Sequence, residues 1–266
     1  MKHTKQSILD YALASRWAGS ADEVKTYANA QELLSLMQGL KDFTPAGWNA
    51  VRASLLQKGN KISTINKKLS IWRVLAACAY EQGAISQIPR ARSERVQEKP
   101  ERYLSREEEE KLFALMDPEY RQTAIILIQT GLRISELFNL QWSDISLDEA
   151  RRMCIHNTKN GRRRYVPMTS AVHSILTERK SYCEPWGVNK MRSFEQRFLD
   201  ARRRSGIEGR VTVHTLRHTF ASRLVQSGVD LYKVSKLLGH TNIKTTQRYA
   251  HLADSDLEDA ISVLEN

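Results

Sequence analysis

The stretches HTLRHTFAS at residues 214–222 and LLGHTNIKTTQRYAH at 237–251 decide how this chain is read. In the first, His214 and Arg217 stand three residues apart, so a helix puts both on one face and aims them at one target. Leu216, Phe220 and Leu224 then anchor the opposite face in a core. A surface helix with incidental basic residues fits H-x-x-R equally well, because four-residue patterns recur by chance. In the second stretch, Gly239 suits the left-handed position that ends a helix, leaving His240 just beyond the cap. Thr241 or Asn242 caps a following helix that carries Tyr249. Tyr249 by itself is one of nine tyrosines, and His251 beside it reads as a bystander.

Upstream, Gly131-Leu-Arg133-Ile-Ser-Glu136 puts an arginine just after a glycine break, at a helix start. Glu136 is placed to orient Arg133 by a charge-assisted hydrogen bond; an ordinary intra-helix ion pair is the plainer reading of the same spacing. Between these segments the pattern changes once. Met153–Asn157 and Arg164–Met168 flank Thr158-Lys159-Asn160-Gly161, and Asn-Gly is a strong hairpin signal because a type I′ turn needs positive φ at both central residues. Lys159 at that turn is a solvated lysine unless other groups give it company. Everything after about Ser193 reads as helix again, with glycine punctuation at Gly206, Gly228 and Gly239. The fold class expected is therefore mainly α with a small β-hairpin sheet, an α+β domain following a helical one.

The 266 residues are 41% hydrophobic, enough for real cores, and carry a formal charge of +11. That excess suits a polyanionic partner, since Lys and Arg release counterions from phosphates. No apolar run approaches the roughly 20 residues that span a bilayer, and Asp10 and Arg16 interrupt any signal-peptide core. A cytoplasmic protein is expected, in a bacterial cell or in the host of a virus. Cys78, Cys154 and Cys183 are odd in number and far apart, which excludes a disulfide scaffold and a zinc cluster.

Residues 1–92 read as a helical domain. Ser20 with Glu23 has capping-box spacing, Thr44-Pro45 is a helix start, and Ile65, Leu69, Ile71, Trp72, Leu75 and Ala76 make an apolar face on a helix beginning at Ser63. With 16 basic and 9 acidic residues over 1–102, this domain is the more basic one; Lys67 and Lys68 on that helix are its DNA-binding candidates. Residues 93–102, SERVQEKPER, read as an exposed linker. Residues 103–266, opened by a Ser105/Glu108 capping box, form the second domain.

The order Arg133, Lys159, His214-x-x-Arg217, His240, Tyr249 resembles the tyrosine recombinases, also called the phage integrase family. QTGLRISELFNLQWSDI, NTKNGRRRYVPM, HTLRHTFASRLVQSG and LLGHTNIKTTQRYAH carry the resemblance, across most of residues 125–251. It implies that Tyr249 attacks a DNA phosphate and forms a 3′-phosphotyrosine, which stores the bond energy, so neither a cofactor nor a metal is required. Arg133 and Arg217 would neutralise the non-bridging oxygens, which suits permanently charged, forked donors, with His240 as a further donor. A phenol of reference pKa about 10 needs a base, and His214 is the candidate. Lys159 would be the general acid for the leaving 5′-hydroxyl; Arg162, Arg163 and Arg164 on the same hairpin would be phosphate contacts.

The same resemblance implies a core-binding domain in residues 1–92, with ISTINKKLSIWRVLAACAYEQGAI like its last helices, and a length that leaves no room for an arm-binding domain. It implies double-stranded DNA at specific core sites as partner, a homotetramer on two duplexes exchanging strands through a Holliday junction, an accessory directionality factor, and a mobile element as context. Residues 252–266 hold five acidic and no basic residues, with Leu257, Ile261 and Leu264 at helical spacing. They fit a helix packed on a neighbouring protomer, or one docked on its own domain. A type IB topoisomerase uses a similar residue set, and an inactive DNA-binding regulator is the third reading.

Overall fold

The computed structural model of the protein describes residues 3–20, 22–96, 101–156, 163–182, 185–186 and 190–253. The chain divides into two compact units, Met1–Glu98 and Lys99–Asn266.

The first unit is helical: α1 (Lys5–Ala12, running into a π-helical turn), α2 (Glu23–Leu36), α3 (Pro45–Gln57) and α4 (Ile62–Glu81). Thr44 caps α3 by accepting from the Gly47 N–H at 3.0 Å, with Pro45 where its missing N–H costs nothing. The capping box expected at Ser20 is displaced: α2 starts at Glu23, whose carboxylate accepts instead from the Gly19 N–H at 2.7 Å. Ile65, Leu69, Trp72, Leu75 and Ala76 of α4 are buried against Ile8, Leu9, Leu33 and Leu55. Trp72 centres this core, with Phe43 and Trp48 rings each 5.5 Å away.

That burial corrects the reading of Lys68. It lies on the same face of α4 as Ile65 and Trp72, is itself buried, and donates to Glu32 Oε2 of α2 at 2.5 Å. The hydrogen bond and charge of Lys68 lower the Glu32 pKa. A lysine so engaged is a bridge between α2 and α4 and not a DNA contact. Lys67 is exposed.

The second unit begins with α5 (Arg106–Ala114), capped reciprocally by Ser105 and Glu108, then α6 (Pro118–Thr130) and the short α7 (Ile134–Phe138). An antiparallel sheet follows, of order β1 (Ile145–Ser146), β2 (Arg152–His156), β3 (Arg163–Pro167). In β2, Met153 and Ile155 are buried while Arg152 and His156 are exposed, the alternation of a sheet with one face on a core. β1, two residues long, is too short to show that alternation in sequence, and the sequence reading missed it. Residues 157–162, with Lys159, Arg162 and the Asn160-Gly161 turn, lie outside the described residues.

Among the described residues, four helices follow: α8 (Ser170–Arg179), α9 (Lys190–Arg204), α10 (Val213–Gln226) and α11 (Leu231–Leu238). Two 3₁₀ segments follow, Ile243–Thr245 and Gln247–Leu252. The architecture is thus mainly α with one small sheet, as expected. α10 packs against α6, α11 and the 247–252 segment. It is enclosed enough that Thr215, Arg217, His218, Thr219 and Ser222 are buried along with Leu216 and Ala221. Buried polar groups need partners, and those of α10 build the site. Among the described residues, no helix is long and apolar enough to cross a membrane. The tail read as an interaction helix lies, from 254 onward, outside the described residues, with Leu257, Ile261 and Leu264.

Candidate active site

Gly131 ends α6 with φ +64°, and a side chain there would run into Phe220 of α10, whose ring lies 2.3 Å from the position of a Cβ. Only glycine accepts both the backbone conformation and the closeness. This break turns the chain so that Arg133 stands at the start of α7. Its backbone N–H donates to Glu136 Oε2 at 2.8 Å, and its Nη1 donates to Oε1 at 2.7 Å.

Glu136 does more than orient Arg133. Arg164, from β3, donates Nη1 to Oε1 at 3.0 Å and Nη2 to Oε2 at 2.7 Å, and its Nε donates to the Leu237 carbonyl at 3.0 Å. This corrects the reading of Arg164 as a phosphate contact. Its guanidinium is turned inward, and only 12% of its side chain is exposed. Burial alone would raise the Glu136 carboxyl. The hydrogen bonds and charge of Arg164, with those of Arg133, override that and lower it to about 2. Arg163, its neighbour on β3, points the other way and is exposed, as strand alternation requires. Gly239, which ends α11 at φ +67°, lets Arg164 pass: a Cβ there would sit 2.7 Å from Nη1.

Arg217 is buried in α10. It donates Nη1 to the Gly131 carbonyl at 2.6 Å and Nη2 to the Leu238 carbonyl at 2.7 Å. Both carbonyls belong to helix C-terminal ends, of α6 and α11, where orphan acceptors and the negative dipole end favour a cation. Two of five guanidinium N–H groups are so used, leaving donors for an anion. Burial, then the nearby Arg133 charge, lowers its pKa to about 10, so it stays charged at neutral pH. Arg217 Nη1 lies 4.0 Å from Glu136 Oε2; Arg133, Arg164 and Arg217 therefore surround one carboxylate.

His240, just past the Gly239 cap, is fixed by its Nδ1 contact to Thr246 Oγ1 at 2.8 Å. Burial and the charges of Arg217 and Arg133 lower its pKa to about 4, so it is neutral at neutral pH. Arg133, Glu136, Gly239 and His240 line a cavity of about 650 Å³ together with Cys154 and His156 of the sheet. Arg217 and His214 line a second, of about 400 Å³. His214 has solvent access; partial burial and the Arg217 charge lower its pKa.

Tyr249 is on the 3₁₀ segment Gln247–Leu252 and not on an α-helix, and it is 2% exposed. Asn242 caps only the short Ile243–Thr245 turn, accepting from the Lys244 N–H, so no longer helix starts there. The Tyr249 hydroxyl is 2.6 Å from Nδ1 of His218, not of His214, and His218 Nε2 is 3.2 Å from Glu101 Oε2. Glu101 also pairs with Arg248. The imidazoles of His214 and His218 meet edge-on at 4.6 Å. Burial, then the neighbouring His214, Arg248 and Arg217, lowers the His218 pKa to about 3, whereas burial and the Glu101 charge push the Tyr249 phenol up to about 12.

Arg133, Glu136, Arg217 and His240 are thus brought together, with His214 beside Arg217 and Tyr249 a single imidazole away. Sequence reading missed His218 and Glu101. His218 stood in the quoted motif one residue after Arg217, and four after His214 on the same helix; that spacing was the available signal. Glu101, in the stretch read as linker, gave none.

The structure resembles a lambda integrase tetramer bound to a Holliday junction, with a TM-score of 0.73 at 20% identity, covering 91% of this chain and 78% of that one. The two share a fold. Residues 102–256 match the phage integrase family. Tyrosine recombinase XerA of Pyrococcus furiosus is 29% identical over 248 residues, 84% of each chain, and tyrosine recombinase XerC of Xanthomonas axonopodis pv. citri is 31% identical over 214 residues, 74% of this chain and 70% of that one. The chain belongs to the phage integrase family. It is a site-specific DNA recombinase, an enzyme that breaks and rejoins DNA by transesterification.

Proposed function

We propose that Tyr249 is the nucleophile of this recombinase and that Arg133, Arg217 and His240 bind the scissile phosphate. The observation that carries this reading is the placement of both arginines around Glu136, with Arg217 held by two helix C-terminal carbonyls. Preorganised cations of this kind stabilise charge as it develops on non-bridging oxygens, at no cost of reorganisation. Tyr249 Oη attacks phosphorus, the bond to the 5′ oxygen breaks, and the 3′-phosphotyrosine forms. His214, beside Arg217 and open to solvent, takes the phenol proton once the hydroxyl turns to the phosphate. Lys159 protonates the leaving oxygen, and Arg163, with Arg162, contacts the backbone. Attack by a second 5′-hydroxyl reverses the sequence on the partner duplex.

The DNA partner is double-stranded, bound at specific core sites with Lys67 among the contacts of the first unit. The lambda integrase structure, a tetramer on a Holliday junction, supports a homotetramer on two duplexes; residues 252–266 are proposed to pack on the neighbouring protomer. An accessory directionality factor and a mobile-element context complete the reading. The test is a two-site plasmid carrying duplexes selected from a randomised pool. Exchanged products are expected; relaxed circles alone would identify a topoisomerase.

A further inference from the structure

Tyr249 lines neither cavity of the site. It is 2% exposed, its hydroxyl is spent on His218, and it packs with Ala221, Val225, Val234 and Leu238. We propose that Glu101 and His218 are positioning residues that hold the Tyr249 phenol away from the phosphate-binding arginines, as a latch on the nucleophile. The inference rests on Tyr249 being the nucleophile.

The chemistry of the contact separates a latch from an activating base. A carboxylate, an imidazole and a hydroxyl in line invite comparison with a nucleophile activated through a triad. The groups facing this one are mostly cationic or neutral: His214 on the same helix, Arg248 beside the tyrosine, Arg217 and His240. They keep His218 neutral, with its Nδ1 lone pair free to accept from the phenol and its Nε2–H donated to Glu101. Burial lowers the His218 imidazole and raises the Tyr249 phenol, so proton transfer across this bond is uphill. The contact thus retains the proton on the hydroxyl. Glu101 fixes the imidazole and also Arg248, the residue before Tyr249, so one carboxylate restrains the segment at two points. It lies outside helix and strand near the start of the unit, and its side chain is 29% exposed.

The test is nitration of the full-length protein by tetranitromethane without DNA, read at each tyrosine by mass spectrometry, with exposed Tyr165, Tyr182 and Tyr232 as internal references. Wild-type Tyr249 should be spared. Glu101→Ala should raise its nitration about tenfold or more, the change expected when one charge-assisted hydrogen bond is lost. Glu101→Gln, which keeps an acceptor for the imidazole, should restore most of the protection. Single-turnover adduct formation on a nicked selected duplex should be faster in Glu101→Ala than in wild type. Unchanged nitration in Glu101→Ala would overturn the latch, as would slower adduct formation, the behaviour of a carboxylate that orients a general base. Nitration needs no nucleophilic role for Tyr249, so failure of the proposed chemistry would show separately, as an adduct persisting in Tyr249→Phe.

Discussion

Glu136→Gln should destabilise the second unit by an amount that depends on pH. The carboxyl is held at about 2 in the folded protein, against an ordinary value of 4.5, and its side chain is only 13% exposed. At about 1.4 kcal/mol per pKa unit, its ionised form contributes about 3 kcal/mol at pH 7. A depressed carboxyl pKa stabilises fully above the unfolded value and loses that contribution as pH falls through the folded one. The window is therefore from 4.5 down to about 2, and at pH 3 about 1.4 kcal/mol should remain. Glutamine offers one oxygen acceptor where four donated N–H groups now converge, and turns an amide NH₂ toward the guanidinium of Arg164. Urea unfolding of the full chain, read from pulse hydrogen–deuterium labelling of the α6 and α10 peptides, isolates the second unit. The gap between wild type and variant should be near 3 kcal/mol at pH 7 and should shrink by more than half at pH 3. A gap of constant size would refute the ionic account and assign the loss to packing.

Three further substitutions test other parts of the site. Gly239→Ala places a side chain at φ +67° and against Arg164; it should cost about 1–3 kcal/mol in the same unfolding measurement, and slow adduct formation because Arg164 can no longer reach Glu136. Arg217→Ala should reduce single-turnover cleavage by roughly 10²–10³, while gel-shift affinity falls severalfold at most; equal losses would make Arg217 a DNA anchor only. Lys68→Ala should destabilise the first unit by about 1 kcal/mol, since Glu32 is part-exposed and keeps Lys58 at 3.7 Å, with the salt slope of DNA binding unchanged in a filter-binding titration; a shallower slope would restore Lys68 as a phosphate contact.

The helical starts at Thr44 and Ser105, the α4 core face and the Gly131 and Gly239 breaks were legible because each is a local rule, one residue type answering one backbone need. The motif residues were legible as a set for the same reason, since His214-x-x-Arg217 and Gly239-His240 have fixed spacing on helices. What sequence could not carry is the choice of partner across distance. Arg164 sits among three consecutive arginines of one hairpin, and only strand alternation plus the position of Glu136 turns it inward while Arg163 stays outside. Lys68 and Lys67 are adjacent in the same way, and the face of α4 decides between them. His214 and His218 are four apart on an enclosed helix, so either reaches the neighbourhood of Tyr249; the 3₁₀ course of residues 247–252 sets which one touches it. Glu101 enters from a stretch outside helix and strand, without any periodicity.

The claim that Tyr249 forms the covalent link is tested most directly by trapping the protein on a nicked duplex of selected sequence and sequencing the DNA-linked peptide by mass spectrometry. The account predicts one modified residue, Tyr249, bearing a 3′-phosphodiester, and no adduct from Tyr249→Phe. A link on any other residue, or an adduct of undiminished yield from Tyr249→Phe, would contradict it.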